Sequence, residues 1–551
     1  MGTCHCISKR EGKGVKQPMN KTLRRGIILI YVSLSLWTLF LVFGMQRILN
    51  VTHSKDFPLE NAGFFMIGVA GIILLFRIND CYGKRIELFL QKKHRLILLV
   101  SLGGLLVWQL YSCYGGYFLS EWDAGVIRET VRIQFNREYA YLDNGYFSWW
   151  PNNMFLVWIF TTVLRFATSV GYSNWKFSLV VFQCVIDVVS IWLVYRVTIE
   201  LTKNQRVAFL TYAVAFLFVG VSPWFIVAYS DATGIALPIL IIRLYQLSMD
   251  SEKRVAKTLW SIALGFVSVA GYFIKPQILI AFIAVVLTEI CCLIGGKYKR
   301  RLVDFSTKAM CYAAGMITFV MLYNNLILPE LHFQINSDTT FGWQYYFMMG
   351  LNASVDGAWS ADDYNFTQAY PTNAERNEAN LQEAKRRIKE MGIGGLFQHL
   401  CRKQLVNYGD GTFAWNVEGK SFAGDPEWAQ NRISSFIRSL IKPEGENYIW
   451  FISSKQLIWV MVLFFLLFVF AYPRGTLTYS GDKSIMVMVM SVIGLTVFEL
   501  LFEARARYLF CYAPLYVILS GWGLRNVYCN IRYCFRNFAA PENEDEAGYS
   551  R

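Results

Sequence analysis

Long apolar runs alternate with short polar segments along most of this chain. Most runs cover about 17 residues or more, which is enough for a helix to cross ~30 Å of hydrocarbon. The pattern predicts an all-α polytopic membrane protein with about 12 transmembrane helices. The predicted spans are Gly26–Met45, Ala62–Ile78, Leu96–Gly116, Phe177–Val197, Val207–Phe225, Gly234–Met249, Thr258–Ile274, Gln277–Gly295, Lys308–Leu328, Gln456–Tyr472, Ser484–Leu501 and Tyr508–Trp522.

Basic residues predict the orientation of these spans. They precede the first span, and they fill the segment between the second and the third with Lys84, Arg85, Lys92, Lys93 and Arg95. Because cytosolic loops carry the excess of Lys and Arg, both segments are predicted to be cytosolic. The third span then delivers residues 117–176 to the outer face of the plasma membrane. The same alternation returns the C-terminus to the cytosol.

An apolar segment inside this external loop, Met154 to Thr168, is only about 15 residues long, which is short for a span and typical of an interfacial or re-entrant helix. Counting it as a span would place the basic segments that follow on the outer face, against the positive-inside rule. We therefore expect a juxtamembrane helix within the loop.

A second external region is predicted at residues 329–455, because its 15 acidic and 12 basic residues lack the positive excess of a cytosolic loop. We expect a mixed domain there, with a helix at Asn373–Glu390 that ends at Gly392-Ile-Gly-Gly395. The predicted division is a basic N-terminus (1–25), two additional helices with a cytosolic loop (26–95), a membrane module (96–328), the external domain (329–455), C-terminal helices (456–526) and a cytosolic tail (527–551).

Composition narrows the classes of partner and site. The net charge of +14 lies between spans, so it indicates topology, and the expected partner is the lipid bilayer with no nucleic acid. Of the 12 cysteines, all but Cys401 fall in predicted spans or cytosolic segments, which excludes an exported disulfide framework. Cys4-His5-Cys6 is too compact for a structural zinc site.

Candidate chemistry comes from polar residues that converge on one face of the bilayer, since charged groups at membrane depth are costly and usually functional. Asp187 lies in mid-span and stays unassigned. The groups on the predicted outer face are Glu121 with Asp123, Asp231, Lys275, and the run Glu503-Ala-Arg505-Ala-Arg507-Tyr508.

Glu121 and Asp123 flank Trp122 where the third span ends. The start of a solvated loop would explain two acids at this position. However, the run Tyr146-Phe-Ser-Trp-Trp-Pro-Asn-Asn153 supplies aromatic planes, which suit the apolar faces of sugar rings. A carboxylate enclosed by such a pocket can take a proton from an attacking hydroxyl.

The other groups each have two interpretations. Asp231 either caps the next helix or is a second carboxylate that orients a substrate or holds a divalent cation. Lys275 either extends to the membrane interface or directs its ammonium at a lipid phosphate. Arg505 and Arg507 either grip phosphate or form salt bridges with nearby glutamates such as Glu499.

Taken together, these motifs resemble the C-type membrane glycosyltransferases (the GT-C group). The similarity is to the bacterial protein O-mannosyltransferase and aminoarabinose transferase group, glycosyltransferase family 39. It extends from Leu96 to Gly523 and rests on the order and sidedness of the motifs. The motifs are Glu121-Trp-Asp123, Trp150-Pro-Asn-Asn153, Asp231, Ile274-Lys-Pro276 and Glu503-Ala-Arg-Ala-Arg-Tyr508.

The resemblance implies an inverting sugar transfer on the outer face, from a polyprenyl-phosphate sugar to a cell-envelope glycan or glycopolymer. It implies that Asp123 is the catalytic base and that Glu121 and Asp231 are further acids of the site. The donor phosphate would be bound by Lys275, Arg505 and Arg507. The substrate-binding residues would be Trp122, Tyr146, Trp150, Asn152, Asn153, Glu503 and Tyr508.

The chain departs from this pattern in two ways. Two spans precede the first one of the pattern, and the acids Glu121 and Asp123 are separated by Trp122 rather than adjacent. We therefore predict no required cofactor or metal ion, although a divalent cation remains possible.

Two other function classes stay open. A lipid-linked polysaccharide polymerase or ligase would also need outer arginines and a large external region, but not an acid in the first external loop. A polysaccharide flippase or transporter would need polar residues through the bilayer midplane. The external aromatic residues either select an acceptor or form the core of the external domain; they are Trp343, Tyr345, Tyr346, Trp359, Trp415 and Trp428.

Overall fold

The computed structural model describes residues 19–49, 51, 57–294, 298–418, 431–472 and 477–539. The basic residues before position 19, the acidic tail after position 539 and Trp428 lie outside these ranges. The helices used below are α1 (Lys21–Leu49), α2 (Asn61–Gly116), α3 (Asp123–Asn136), α4 (Asn144–Trp149), α5 (Met154–Ser169), α6 (Trp175–Thr202), α7 (Gln205–Gly220), α8 (Ser230–Asp250), α9 (Arg254–Ile274), α10 (Pro276–Ile294), α11 (Leu302–Glu330), α12 (Trp343–Gly350), α13 (Ala361–Gln368), α14 (Asn373–Tyr408), α15 (Arg432–Ile441), α16 (Tyr448–Leu466), α17 (Tyr479–Leu501) and α18 (Ala513–Ala539).

Among the described residues, 9 helices are long and apolar enough to cross a membrane: α1, α2, α6, α8, α9, α10, α11, α16 and α17. The prediction of an all-α polytopic membrane protein is confirmed. The count is below 12 because α2 contains two predicted spans, α7 is shorter than the others, and α18 is predominantly apolar only before Arg525. A 3-10 segment, Ala506–Tyr512, precedes α18, so the α-helix in the predicted twelfth span begins at Ala513.

A straight helix with the 56 residues of α2 would be about 84 Å long, so its two ends would lie far apart. At its start, Gln456 donates a hydrogen bond to Asn61, and the lysine before Gln456 donates to the carbonyl of Phe218. At its end, Gln109 donates to the carbonyl of Gly220. Since Phe218 and Gly220 are two residues apart, both ends of α2 lie at the same end of the bundle. The chain therefore reverses direction within α2.

We call this end of the bundle the site end, because α9 and α17 also finish there and α3, α8 and α10 begin there. The described residues of the long polar segment, 329–418 and 431–455, pack on it. We expected a mixed domain, but the described residues of this segment form α12–α15, short helical turns and loops, without a strand. Its composition explains the difference, because Glu, Lys, Arg and Ala favour helices.

Inside the polar segment, α14 begins with a capping box between Thr372 and Glu375. It breaks at Gly392, which has φ 61° and ψ −176°, a conformation that only glycine adopts readily. The predicted end at Gly392 is thus a break, after which the helix continues to Tyr408. In the second half the side chains are mostly buried against the bundle, which stabilises that continuation.

The short apolar helix predicted in the first loop is observed as α5, with 16 residues. It is not among the helices long enough to cross a membrane. It packs against α3 and α6 and buries one face, including Leu156, Val157 and Phe160. Its depth relative to the lipid stays a prediction.

Candidate functional site

Asp123 is the first residue of α3 and is half-buried. The chain reaches it through a sharp turn in which the Gly125 amide donates to the Trp122 carbonyl over 2.6 Å. A Cβ atom at Gly125 would lie 2.6 Å from the carbonyl oxygen of Ser120, so the turn requires glycine. An acid in the first turn is stabilised by the positive end of the helix dipole. The local sequence therefore presents a carboxylate at a helix start.

Tyr229 holds the Asp123 carboxylate from the neighbouring turn. Its hydroxyl donates to Asp123 Oδ2 over 3.1 Å. The turn is itself fixed by the buried Gln183 of α6, whose amide oxygen accepts from the Tyr229 amide (3.2 Å) and whose nitrogen donates to the Val227 carbonyl (2.8 Å). Tyr229 is thus placed by the bundle rather than by a flexible loop.

Tyr146 lies on the other side of Asp123. Asn153 Nδ2 donates to its hydroxyl over 2.8 Å, and the Trp150 ring packs 5.0 Å from its ring. Burial, together with the neighbouring Tyr229 and Asp123, raises the pKa of Tyr146 well above its usual value. Burial and the Asp123 charge do the same to the pKa of Tyr229. Both phenols therefore stay protonated and can act as hydrogen-bond donors to the carboxylate.

Asp231 is fully buried and pairs with two cations. One of its oxygens contacts the ammonium of Lys275, and the other accepts from Arg507 Nη1 over 2.9 Å. The three residues come from the start of α8, the junction of α9 and α10, and the segment before α18. Pro276 ends α9 and places Lys275 in extended backbone at this junction. With all three groups charged, this ion triad carries a net charge of +1.

Aromatic rings connect the ion triad to Asp123. The Arg507 guanidinium carbon lies 4.7 Å from the Trp122 ring centroid, 5.5 Å from that of Tyr229 and 5.1 Å from that of Tyr508. Trp122 and Tyr229 also contact each other edge to face, with centroids 4.8 Å apart. Cations over ring faces are stabilised electrostatically. One cluster thus holds a partly exposed carboxylate and, beside it, a buried positive centre.

Residues 19–526 match the family described as a conserved hypothetical integral membrane protein. The chain belongs to this family. No curated protein matches.

Among solved structures, the chain is similar to the archaeal oligosaccharyltransferase AglB from Archaeoglobus fulgidus, in complex with an inhibitory peptide and a dolichol-phosphate. The identity is 11%, the TM-score is 0.40, and the match covers 82% of this chain and 53% of that one. At this level of likeness, the function has to be argued from the site itself.

The structure brings together most of the residues predicted from sequence. Asp123, Trp122, Tyr146, Asn153 and Trp150 form one side of the cluster, and Asp231, Lys275, Arg507 and Tyr508 form the other. At the edges, Asn152 donates to Asn153 over 3.3 Å, and Glu503 accepts from the Tyr508 hydroxyl over 2.6 Å. Arg505 is half-buried in the same segment, whereas Glu121 is exposed.

These contacts and exposures distinguish between the two interpretations given above for Asp231, for Lys275 and for the external aromatic residues. Asp231 makes no helix-capping hydrogen bond, and its two oxygens are engaged by cations, so it acts as a counter-ion in this arrangement. Lys275 is 5% exposed and therefore does not extend to an interface. In the polar segment, Tyr345 and Trp415 are buried core residues, whereas Trp343 and Trp359 are more than half exposed.

Two functional candidates, Tyr229 and Lys403, were missed in the sequence. Tyr229 lies two residues before Asp231 and could have been noticed as a polar aromatic at the same helix start. Tyr346, one of the external aromatic residues considered in the sequence, is half-buried near Glu503 and Asp123, and burial with these carboxylates raises its pKa. Lys403, in the second half of α14, is 0% exposed. No local signal distinguishes Lys403, because its partners are distant backbone carbonyls.

Proposed function

We propose that this protein is a membrane glycosyltransferase of the GT-C type. It transfers a sugar from a polyprenyl-phosphate-linked donor to a cell-envelope glycan or glycopolymer on the outer face of the plasma membrane. The observation that carries the proposal is the position of Asp123, a partly exposed carboxylate held by Tyr229, whose ring also contacts Arg507 of the ion triad. The motif resemblance described above supports the same function.

The proposed reaction needs a base and a positive centre at adjacent positions. Asp123 accepts the proton of an acceptor hydroxyl, and the oxygen attacks the anomeric carbon of the donor sugar with inversion. The bond from that carbon to the phosphate oxygen breaks, and its electron pair leaves with the polyprenyl phosphate. The ion triad, together with Arg505, stabilises the charge that develops on this phosphate.

Tyr229 and Tyr146 have a positioning role in this scheme. The Tyr229 hydroxyl donates to one oxygen of Asp123, and the protonated Tyr146 lies beside the same carboxylate, so that the other oxygen is directed to the acceptor. Trp122 and Trp150 supply ring faces for the sugar. Since placement of reacting groups within a few tenths of an ångström controls much of the rate, removal of these donors should lower turnover more than binding.

The first experiment measures envelope glycans by mass in a deletion strain complemented with wild type, Asp123→Asn or Glu129→Gln. The Asp123→Asn protein keeps the shape but loses the base, so the sugar modification should fall by about 100-fold or more. Glu129 is an exposed residue of the same helix, paired with Arg132, and its variant should retain full modification.

Normal modification with Asp123→Asn, at equal protein level in the membrane, would exclude Asp123 as the base. Loss of the entire surface polymer in the deletion strain, rather than of one sugar from it, would instead favour the polymerase or the flippase.

A further inference from the structure

The buried lysine of the polar segment, Lys403, reaches three backbone carbonyls. Its ammonium donates to Gly350 (2.8 Å), Leu500 (2.8 Å) and Phe502 (2.6 Å). Gly350 is the last residue of α12, and Leu500 lies in the last turn of α17. Carbonyls at the end of a helix have no partner within that helix. Lys403 therefore joins the ends of two helices, one from the polar segment and one from the bundle.

A lysine is suited to this position because an ammonium has three N–H donors and no acceptor. Each of the three carbonyls takes one donor, whereas a neutral amine would have only two. Burial lowers the pKa of Lys403 to about 7, while the nearby Glu499 and Glu503 favour the charged form.

The same helix end is held by a second contact. The amide of Ala504 donates to the carbonyl of Gly357 over 2.8 Å. Gly357 has φ +76°, and a Cβ there would lie 2.9 Å from Lys403 Cε, so both backbone and space require glycine. Arg402, next to Lys403 on α14, pairs with Asp356 and ties this turn to the helix. The polar segment is thus hydrogen-bonded to the bundle on both sides of Glu503, at Phe502 and at Ala504.

The two hydrogen-bonded residues, Phe502 and Ala504, directly precede residues of the candidate site in the chain. Phe502 and Ala504 flank Glu503, and Arg507 follows Ala504 by three residues and ends in the ion pair with Asp231. We propose that Lys403 is a positioning residue that sets the conformation of the cation-bearing loop, Glu503–Arg507, so that the polar segment completes the phosphate-binding site. This inference rests on the proposed function for the identity of the ligand, but the positioning itself is a separate property.

The test uses the full-length protein in lipid nanodiscs, as wild type, Lys403→Met and His399→Leu. The matched control, His399, lies on the same helix and also contacts the Gly350 carbonyl, at 2.9 Å. Among the described residues, it makes no hydrogen bond to Leu500 or Phe502. Two quantities are measured: hydrogen exchange of the Glu503–Arg507 amides, and binding of polyprenyl phosphate.

Hydrogen bonds from a charged group are strong enough that Lys403→Met should speed this exchange about tenfold or more and weaken polyprenyl-phosphate binding about tenfold. Exchange within α6 and α8 should not change. His399→Leu should alter both quantities less than about threefold, since only one contact to Gly350 is lost.

If Lys403→Met does not fold, Lys403→Gln replaces it, because its amide keeps two N–H donors in the buried position but loses the third donor and the charge. The positioning role of Lys403 would be overturned if hydrogen exchange in the cation-bearing loop did not change in the Lys403 variant. It would also be overturned if His399→Leu and the Lys403 variant had equal effects. If the loop exchanges faster as expected but wild type binds no polyprenyl phosphate, the positioning role stands and the proposed function fails.

Discussion

At the scale of single residues, the ion triad is the feature most sensitive to substitution. Asp231, Lys275 and Arg507 are all at least nine-tenths buried, and the one carboxylate serves both cations. Taking two charges out of water is costly, and their attraction to a third offsets that cost only while all three are present. Glu503 differs, because it is half-buried and accepts a hydrogen bond from a neutral tyrosine.

Replacement of Asp231 by Asn is therefore expected to lower the free energy of unfolding by roughly 3 to 5 kcal/mol, since two buried cations lose their counter-charge. The measurement is unfolding in mixed micelles titrated with a denaturing detergent. Glu503→Gln is the matched control and should cost less than about 1 kcal/mol, because the amide oxygen can still accept from Tyr508. Equal stability of Asp231→Asn and wild type would show that the two ion pairs of Asp231 contribute little to the free energy of unfolding.

The same residues show what could be predicted at this scale. Asp231, Lys275 and Arg507 were assigned to one face because an even number of spans separates them. Their pairing could not be predicted, because each interpretation of Lys275 or Arg507 was compatible with its own neighbours in sequence. The role of Lys403 could not be predicted either, because its three acceptors are backbone carbonyls, which every residue carries.

At the scale of secondary-structure elements, α14 shows how one glycine divides a helix. Gly392 has positive φ with open space around its Cβ position, so its conformation alone restricts the residue type. Gly394, two residues later, has open space and continues the helix without a positive φ. A side chain is therefore expected to destabilise the helix at position 392 and to stabilise it at position 394.

Gly392→Ala should destabilise the polar segment by about 1 to 3 kcal/mol, because alanine is strained in this region of φ and ψ. Gly394→Ala should stabilise it by about 0.5 to 1 kcal/mol through the helix propensity of alanine. Limited proteolysis of the polar segment, compared with wild type, gives the sign and size of each effect. A stabilising Gly392→Ala would mean that the break is not required.

At the scale of the whole molecule, the reversal within α2 decides how the bundle is arranged. One end of α2 contacts Gly220 of α7 through Gln109, and the other contacts Gln456, whose neighbour Lys455 bonds Phe218 of α7. The basic middle part of α2 therefore lies at the opposite end of the bundle. The predicted orientation places that middle part in the cytosol and the polar segment outside. This orientation is a proposal that follows from the positive-inside rule.

Single cysteines in a cysteine-free background test the orientation. Lys92 and Glu378 are both exposed, one in the middle of α2 and the other in the polar segment. A membrane-impermeant maleimide added to intact cells should label Glu378→Cys, whereas Lys92→Cys should react only after permeabilisation, because the bilayer separates the two sides. Labelling of Lys92→Cys in intact cells would reverse the proposed topology.

Local sequence patterns were enough to predict the class of fold and the region of the candidate site. Apolar runs of membrane length and the distribution of Lys and Arg are local properties, and they indicated a helical membrane protein with Asp123, Asp231, Lys275 and Arg507 at one end. Which of these groups contact one another became evident only from the packing of the helices. Tyr229 binds Asp123 across 106 positions, and Lys403 grips carbonyls 97 and 99 positions away. Such contacts depend on how helices pack in three dimensions, which no local pattern of residues encodes.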